Sequence, residues 1–359
     1  MTPDLVVDLG SANTRVADRS GAVLLEEPTL AAVDADSGRL LAFGREAYRL
    51  VAASAGRVSA VRPVRRSQLV DLELTDVLLG EVLRRAGASR LARPRVLAVV
   101  SSAATPVQLR ALERSLRHAG ARTVRFVEVA LACAVGAGLP VDEPSGCMVV
   151  DVGAGTTEVG VLALGGVVAS TVVPAAGDDL DDAVRQAIAR RYDVHVDRRT
   201  LEAVRVALGS ASLSLSPAPS VPPAAPPAAA APPRAPSAPS AAAPAAASPA
   251  SGAPAAASPA PAVDVPCRLR TSGEACTVRL RSEDVRPALD RVVRLILDAA
   301  VATITKAPPD LANDLLGSGV QLTGGVAHLH ALDRRLATAT GLPVHVDEPD
   351  LLAVRGASA

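Results

Sequence analysis

Apolar residues cluster in two short segments of the chain that end in the same kind of turn. LVVDLG contains Asp8 and Gly10, and CMVVDVG contains Asp151 and Gly153. A Val-rich run that is closed by glycine is typical of a buried strand leading into a hairpin. Each segment therefore predicts a strand with a carboxylate near its end, followed by small residues whose backbone amides an anion can approach closely.

One such turn has an ordinary explanation, which is a β-hairpin with an aspartate beside it. Two of them, with one carboxylate each, suit a phosphate chain that is held from both sides with a divalent cation in between. Mg²⁺ is usually bound by one or two carboxylates, by waters and by the phosphates themselves. The pair favours a phosphate site, and two plain hairpins remain the alternative.

Strand and helix patterns alternate through the rest of the chain. Residues 96–104 predict a buried strand, 105–120 an amphipathic helix and 123–129 another strand. A long helical pattern begins at Ser282 and ends before Pro308. Alternation of this kind predicts an α/β architecture.

Composition narrows the classes of protein that fit. The 359 residues are enough for two domains, and 49% are apolar while only 1% are aromatic, so the core must consist of Val, Leu and Ala. The 37 basic residues equal the 37 acidic ones, which gives no reason to expect a nucleic acid partner. Lys306 is the only lysine, so a Walker-type phosphate loop is excluded.

The four cysteines, Cys133, Cys147, Cys267 and Cys276, show no C-x-x-C spacing and lie in apolar or strand-like segments. Buried structural thiols are therefore favoured over metal binding or redox chemistry. The N-terminus lacks the basic and apolar regions of a signal peptide, and no uniformly apolar stretch reaches 18 residues. These features predict a cytoplasmic protein.

Residues 216–262 consist of Pro, Ala and Ser, apart from Val221, Arg234 and Gly252. Such a segment offers little to bury and many prolines that cannot continue a helix, so it predicts a disordered, extended tether. Patterned segments on both sides indicate that the tether interrupts a domain and does not join two. A docking site for a proline-binding domain is the alternative.

Several segments occur in the order that is typical of one family. They are DLGSANT from Asp8, RPV from Arg62, the block 136–168, AAGDDLDDAV at 175–184, TLEAVRVALGSA at 200–211 and VQLTGGVAHLHALD at 320–333. Together they resemble the bacterial actin homologues of the MreB and Mbl type, within the actin, hexokinase and DnaK-type chaperone fold. The resemblance implies two similar α/β domains on either side of a nucleotide cleft, each with a smaller subdomain.

The resemblance also implies domain limits. Domain I comprises 1–142 and 322–359, with a small subdomain at 32–74. Domain II comprises 143–215 and 263–321, and its small subdomain includes 179–215 and the insertion that follows. The tether at 216–262 then lies inside the small subdomain of domain II.

ATP and Mg²⁺ are the implied ligands. Asp8 and Asp151 would hold the Mg²⁺, through water, and Glu202 and Arg205 would lie near the ribose and adenine. The family usually has Lys in place of Arg205, and a solvated ion pair on an exposed helix face is the alternative for these two residues. The implied nucleotide-binding set is Asp8, Gly10, Ser11, Ala12, Asn13, Asp151, Gly153, Ala154, Gly155, Thr156, Thr157, Gly177, Asp178, Glu202, Arg205, Gly324, Gly325 and Val326.

The chain departs from the family pattern at several positions. Val129 stands where the family has the glutamate that orients the attacking water, so no catalytic residue is assigned and weak or absent hydrolysis is expected. Ala154 and Val326 each replace a family glycine, and residues 101–103 replace a Pro-Ser-Gly turn. These changes suggest a specialised or decayed paralogue.

The implied function is that of an actin-like cytoskeletal protein of the cell-shape-determining type. Such a protein would assemble into, or join, membrane-associated filaments that guide cell-wall synthesis. Its partners would be copies of itself, related actin homologues and cell-wall synthesis or morphogenesis proteins, with peripheral membrane contact left open. The alternatives are a competent ATPase that uses Glu128 or Glu158, and a non-polymerising adaptor that keeps nucleotide only for stability. A sugar kinase is disfavoured because hexokinase-type substrate motifs are absent.

Overall fold

The computed structural model describes residues 4–54, 56–87, 93–212 and 262–358. The predicted tether therefore lies outside the described residues, except for Ala262, which begins a strand. The first-half elements are β1 Leu5–Leu9, β2 Asn13–Asp18, β3 Val23–Pro28, β4 Ala31–Asp34, β5 Leu40–Phe43, α1 Arg45–Ala53, β6 Val58–Val61, β7 Val64–Arg65, β8 Gln68–Leu69, α2 Leu72–Arg85, β9 Arg95–Val100, α3 Pro106–His118, β10 Thr123–Glu128 and α4 Val129–Gly136. The second-half elements are β11 Cys147–Val152, β12 Thr157–Ala163, β13 Gly166–Val173, α5 Gly177–Tyr192, β14 Val194–His195, α6 Arg198–Leu208, β15 Ala262–Leu269, β16 Ala275–Arg281, α7 Ser282–Lys306, α8 Pro309–Ser318, β17 Val320–Thr323, α9 Leu332–Thr340, β18 Val344–His345 and α10 Leu352–Gly356.

Two five-stranded sheets share one topology. The first has the strand order β10-β9-β1-β2-β3. The second, read from the corresponding edge, has the order β18-β17-β11-β12-β13. In each sheet the central strand pairs antiparallel with the strand that follows it and parallel with a strand from further along the chain. The two halves of the molecule are therefore structural repeats, with β1 equivalent to β11, β9 to β17 and β10 to β18.

Smaller units stand beside each sheet. In the first half, β4, β5 and β6 form a three-stranded sheet next to α1, and β7 and β8 form a short hairpin. In the second half, β14, β15 and β16 form a three-stranded sheet that α6 contacts. Among the described residues, no helix is both long and apolar enough to cross a membrane.

Aliphatic side chains form the core of the second half, as the composition predicts. The long helix α7 lies against α5, β12 and β13. Its buried face includes Leu289, Val293, Ile296 and Ala300. These residues recur at intervals of three and four, which is the helical period that places them on one side.

Two helices connect the halves. Helix α4 follows β10 of the first sheet and contacts β11 and β12 of the second, whereas α10 contacts β1 and β2 of the first. The helices meet where Gly136 of α4 and Gly356 of α10 face each other's backbone. A Cβ on Gly356 would overlap the Ala132 carbonyl oxygen and the Gly136 nitrogen, and a Cβ on Gly136 would overlap the Leu352 carbonyl oxygen.

The predicted domain limit at residue 322 is wrong in the final part of the chain. It falls inside β17, which pairs with β11, and β18 pairs with β17 in the same second sheet. Only α10, near the end, lies against the first sheet. The sequence pattern identifies these strands but does not show which sheet they join, because that depends on long-range pairing.

The contact between α4 and α10 gives a prediction. We expect Gly356→Ala to lower the free energy of unfolding by about 3 kcal/mol, because an added methyl group must push two backbones apart. Gly317→Ala, in α8, is the matched control, since nothing lies within 4 Å of its added Cβ. The measurement is urea denaturation of both variants, and equal midpoints would contradict the contact.

Candidate functional site

The chain segments that follow Asp8 and Asp151 are hairpin turns, and both line one cleft between the sheets. Gly10 donates its backbone N–H to the Asn13 carbonyl oxygen at 3.0 Å, and Gly153 donates to the Thr156 oxygen, also at 3.0 Å. In both turns the aspartate comes two residues before the glycine. The hairpins that the sequence left as the alternative are therefore present, and they face a common space.

The aspartates of these turns form an electrostatic pair at the bottom of the cleft. Burial raises the pKa of Asp8, although Arg15 opposes the shift. Burial also raises the pKa of Asp151 to about 8, and repulsion from Glu158 and Asp8 adds to it. The cleft thus disfavours two negative charges unless a cation joins them.

The donor set fits Mg²⁺. Both aspartates offer hard carboxylate oxygens, and Mg²⁺ keeps waters and phosphate oxygens in its remaining positions. Within the described ranges, no three His, Cys, Asp or Glu side chains are arranged to hold a metal ion by themselves. A cation here would therefore need oxygens from a bound ligand or from water.

The β7–β8 hairpin contacts the second turn across the cleft. Its turn residues Arg66 and Ser67 have φ values of 49° and 59°. The Arg66 guanidinium donates to Asp179 at 2.8 Å, and the Ser67 hydroxyl lies 3.1 Å from that of Thr156. Gly155 allows this approach, because a Cβ there would lie 2.5 Å from Ser11 Oγ and 2.8 Å from the Arg66 nitrogen.

Helices α5 and α6 form a second wall of the cleft, and a buried ion pair joins them. Arg205 Nε donates to Asp181 Oδ1 at 2.6 Å, and each side chain is only 7% exposed. Burial raises the pKa of Asp181 from 3.8 to about 6, although Arg205 opposes the shift. The folded state therefore binds this proton more readily, so the contribution of Asp181 to stability falls as pH rises through that range.

This ion pair changes the expected role of Arg205. Its charge is already matched by Asp181, while Glu202 lies 4.0 Å away with 53% of its side chain exposed. Arg205 is not on a solvated face, so the surface ion pair that the sequence left open does not describe it. Both residues line the cleft, and Glu202 is the one whose side chain is largely exposed.

The turn at Gly324 and Gly325, directly after β17, forms a third wall of the cleft. Gly324 has φ of 86°, and a Cβ there would overlap the Val152 carbonyl oxygen and lie 2.7 Å from Asp151 Oδ1. Val326 donates its backbone N–H to Val152 at 3.1 Å and is 2% exposed. Its side chain fills the space beside Gly177, where a third glycine would leave a gap.

The cleft brings together nearly all of the predicted residues. Thr157 is the exception, because its hydroxyl donates to the Ala175 carbonyl oxygen at 2.6 Å and is fully buried. The predicted residues that line the cleft are Asp8, Gly10, Ser11, Ala12, Asn13, Asp151, Gly153, Ala154, Gly155, Thr156, Gly177, Asp178, Glu202, Arg205, Gly324, Gly325 and Val326. Their binding of a ligand stays a prediction.

The position that would orient a water molecule is apolar. Val129 is the first residue of α4 and lines the cleft, whereas Glu128 is exposed and lies outside the lining. Glu158 does line the cleft, but its carboxylate accepts hydrogen bonds from the Ser102 nitrogen at 3.0 Å and the Ser102 hydroxyl at 3.2 Å. Glu158 thus links the loop after β9 to the second sheet.

Sequence reasoning missed several cleft residues. Arg62 donates to the Ser11 carbonyl oxygen at 3.1 Å and lies 4.0 Å from Asp178, which also pairs with Arg198. Arg62 belongs to the RPV segment, but nothing in that segment shows that its side chain reaches the first turn. Asp181 follows Gly177 by one helical turn on α5, and that spacing could have placed it on the cleft side.

The repeated sheets and the cleft between them define an actin-like protein. A crystal structure of MreB5 from Spiroplasma citri bound to ADP matches with a TM-score of 0.81 and 24% identity, over 99% of this chain and 95% of that one. A double helical filament of MamK matches with a TM-score of 0.71 and 18% identity, over 99% and 97%. These likenesses show the fold.

Relatives in sequence identify the family. The model of the MreB/Mbl protein family matches residues 2–218 and 251–359, so the gap falls within the Pro-, Ala- and Ser-rich segment. The cell shape-determining protein MreB of Escherichia coli K12 is 32% identical over 98% of this chain and 90% of its own length. Mbl of Bacillus subtilis 168 is 29% identical over 96% and 91%. The chain belongs to the MreB/Mbl family.

The ion pair between α5 and α6 yields a prediction. We expect Asp181→Leu to destabilise the nucleotide-free protein by about 3 kcal/mol, because Arg205 would stay buried without a partner. The double variant with Arg205→Leu should cost less than the sum of the two single changes. Urea denaturation measures the three variants.

Arg185→Ala is the control, since it removes an exposed pair with Asp182. Its effect should be within about 0.5 kcal/mol. If the loss of unfolding free energy in the double variant equals the sum of the losses in Asp181→Leu and Arg205→Leu, the two side chains are not coupled.

Proposed function

We propose that this chain is an actin-like cytoskeletal protein of the cell-shape-determining type that binds Mg-ATP in its cleft. It assembles into, or joins, membrane-associated filaments that guide cell-wall synthesis, and it hydrolyses ATP weakly or not at all. The observation that carries the proposal is the pair of facing turns with Asp8 and Asp151 at the bottom of one cleft. Family membership and the ADP and AMPPNP complexes of the Spiroplasma citri MreB5 structures support it.

Each wall of the cleft contacts a different part of the Mg-ATP complex in this proposal. The backbone amides of residues 10–13 and 153–156 bind the phosphates, since small residues expose these groups. Asp8 and Asp151 hold Mg²⁺, which neutralises phosphate charge and relieves the repulsion between the two carboxylates. Glu202 accepts hydrogen bonds from the ribose hydroxyls, and Val326 packs against the nucleoside.

Nucleotide binding in this arrangement is coupled to the relative position of the domains. A phosphate chain between the turns adds to links that already cross the cleft, which are Arg66 with Asp179, Ser67 with Thr156 and Ser102 with Glu158. A ligand that contacts both sides favours the closed arrangement. The closed shape is the one that we propose assembles.

The proposed role in the cell is based on the names of the related proteins. MreB and Mbl are named as cell shape-determining proteins, and the MamK structure is a double helical filament. We infer filaments of this chain alone or with related actin homologues, in the cytoplasm at the membrane surface. Cell-wall synthesis or morphogenesis proteins are the partners of such filaments.

Removing one cleft carboxylate tests the binding site. Asp151→Asn and Asp8→Asn should each weaken Mg-ATP binding by tenfold or more, on the order of 1.4 kcal/mol, because the carboxylates act through the cation. Metal-free ATP should bind no more weakly than to the parent, since one repulsive charge is gone. Calorimetry with and without Mg²⁺ measures both affinities, and Asp310→Asn on the exposed start of α8 is the control.

Sedimentation of the same proteins tests assembly. The parent should pellet with Mg-ATP and stay in solution with EDTA, and Asp151→Asn should stay in solution under both conditions. A parent that binds Mg-ATP but never pellets would contradict assembly and support the non-polymerising adaptor. Unchanged Mg-ATP affinity in both aspartate variants would contradict the site itself.

The apolar side chain at Val129 predicts slow hydrolysis. Valine can neither accept a hydrogen bond from water nor take its proton, so phosphate release by the parent should be near background. Val129→Glu should raise turnover by about one to three orders of magnitude. Glu128→Ala should change little, because Glu128 lies outside the cleft lining. A fast parent that Glu158→Gln inactivates would instead assign the role to Glu158.

A further inference from the structure

Two cysteines face each other on neighbouring strands, far along the sequence from the phosphate turns. Cys267 of β15 is the register partner of Cys276 of β16, and their Sγ atoms lie 2.8 Å apart. Both are free thiols. Cys267 is 7% exposed, whereas Cys276 is only half-buried.

The hairpin fixes this pairing. Register between β15 and β16 runs without a shift from Ala262 with Arg281 to Arg268 with Ala275. At the turn, Leu269 donates its N–H to the Glu274 carbonyl oxygen at 2.9 Å, and Gly273 donates to that of Leu269 at 2.8 Å. A slip of one strand by one residue would place the two sulfurs on opposite faces of the sheet, so the register holds the thiols together.

The other two cysteines are in a different situation. Cys133 lies in α4 and Cys147 in β11, and both are buried. Burial raises the pKa of Cys147 to about 11 and raises that of Cys133 well above its ordinary value. These two match the structural thiols that the sequence favours, whereas the Cys267–Cys276 pair does not.

Small molecules can reach the pair. A shallow cavity opens on both thiols, and β16 is an edge strand of its sheet within the described residues. Burial and the contact with Cys276 raise the pKa of Cys267 to about 11. Cys276 is the more exposed of the two sulfurs, so it is the thiol that a small molecule reaches first. The other polar residues of the cavity are His195, Asp197, Arg268 and Thr277.

We infer that Cys267 and Cys276 form a reversible dithiol–disulfide site that a small-molecule disulfide oxidises. The Cys276 thiolate attacks one sulfur of the oxidant, and the first small thiolate leaves. The Cys267 thiolate then attacks Cys276 Sγ and releases the second. The two protons of the protein thiols end on the two released small thiols, so the protein loses two electrons and the oxidant gains them.

The bond would close a short loop on the small subdomain that carries α6. Strand β15 contacts α6, and α6 bears Glu202 and Arg205. A cross-link between β15 and β16 restricts the unfolded chain and so stabilises the folded one. This inference does not depend on nucleotide binding or on assembly.

Oxidised glutathione is the probe that tests the site. After incubation and alkylation, intact-mass and peptide analysis should show the loss of two hydrogens and no alkyl group on Cys267 or Cys276. Cys133 and Cys147 should carry alkyl groups only when the protein is unfolded before alkylation. Thermal unfolding of the oxidised form should shift upward by about 3 °C or more, and dithiothreitol should reverse the shift.

Single variants separate the steps. Cys267→Ser should keep one glutathione on Cys276, because no second thiol displaces it, and Cys276→Ser should stay unmodified. Cys147→Ser is the matched control and should oxidise like the parent. A parent that retains glutathione on Cys276, or that leaves both thiols free for alkylation, would overturn the inference.

Discussion

The burial of two carboxylates in one cleft is the main electrostatic feature of this molecule. Asp8 and Asp151 come from equivalent turns of the two halves, and burial in the cleft makes their charges costly. Of the cations in the described part of the chain, Arg15 is the one that lowers the pKa of both. Two repeated sheets, held with their hairpin turns face to face, produce this unbalanced site, which the divalent cation and phosphate ligand that we propose would balance.

Short sequence patterns were sufficient to predict many of the residues that line this site. Short patterns predicted the strands that carry Asp8 and Asp151, the helix from Ser282 and the glycine turn after β17. Such patterns suffice because strands, helix caps and tight turns are specified by neighbouring residues. The ordered segments also indicated the family, which the comparisons confirm.

What the sequence did not show depends on contacts between distant segments. Thr157 lies in the predicted motif, but its hydroxyl turns to Ala175. Arg205 lines the cleft, but its pairing with Asp181 from another helix was not expected. The Cys267–Cys276 pair requires the hairpin register, and the place of β17 and β18 requires long-range strand pairing. No local pattern encodes these choices.

The glycine contact between α4 and α10 limits how the two halves can move. Main-chain atoms meet there without intervening side chains, so the helices cannot slide past each other by exchanging rotamers. Shear motion, in which packed layers shift by small side-chain adjustments, is therefore blocked at this contact. At this contact we therefore expect the cleft to open by hinge rotation, through changes of φ and ψ near the ends of these two helices.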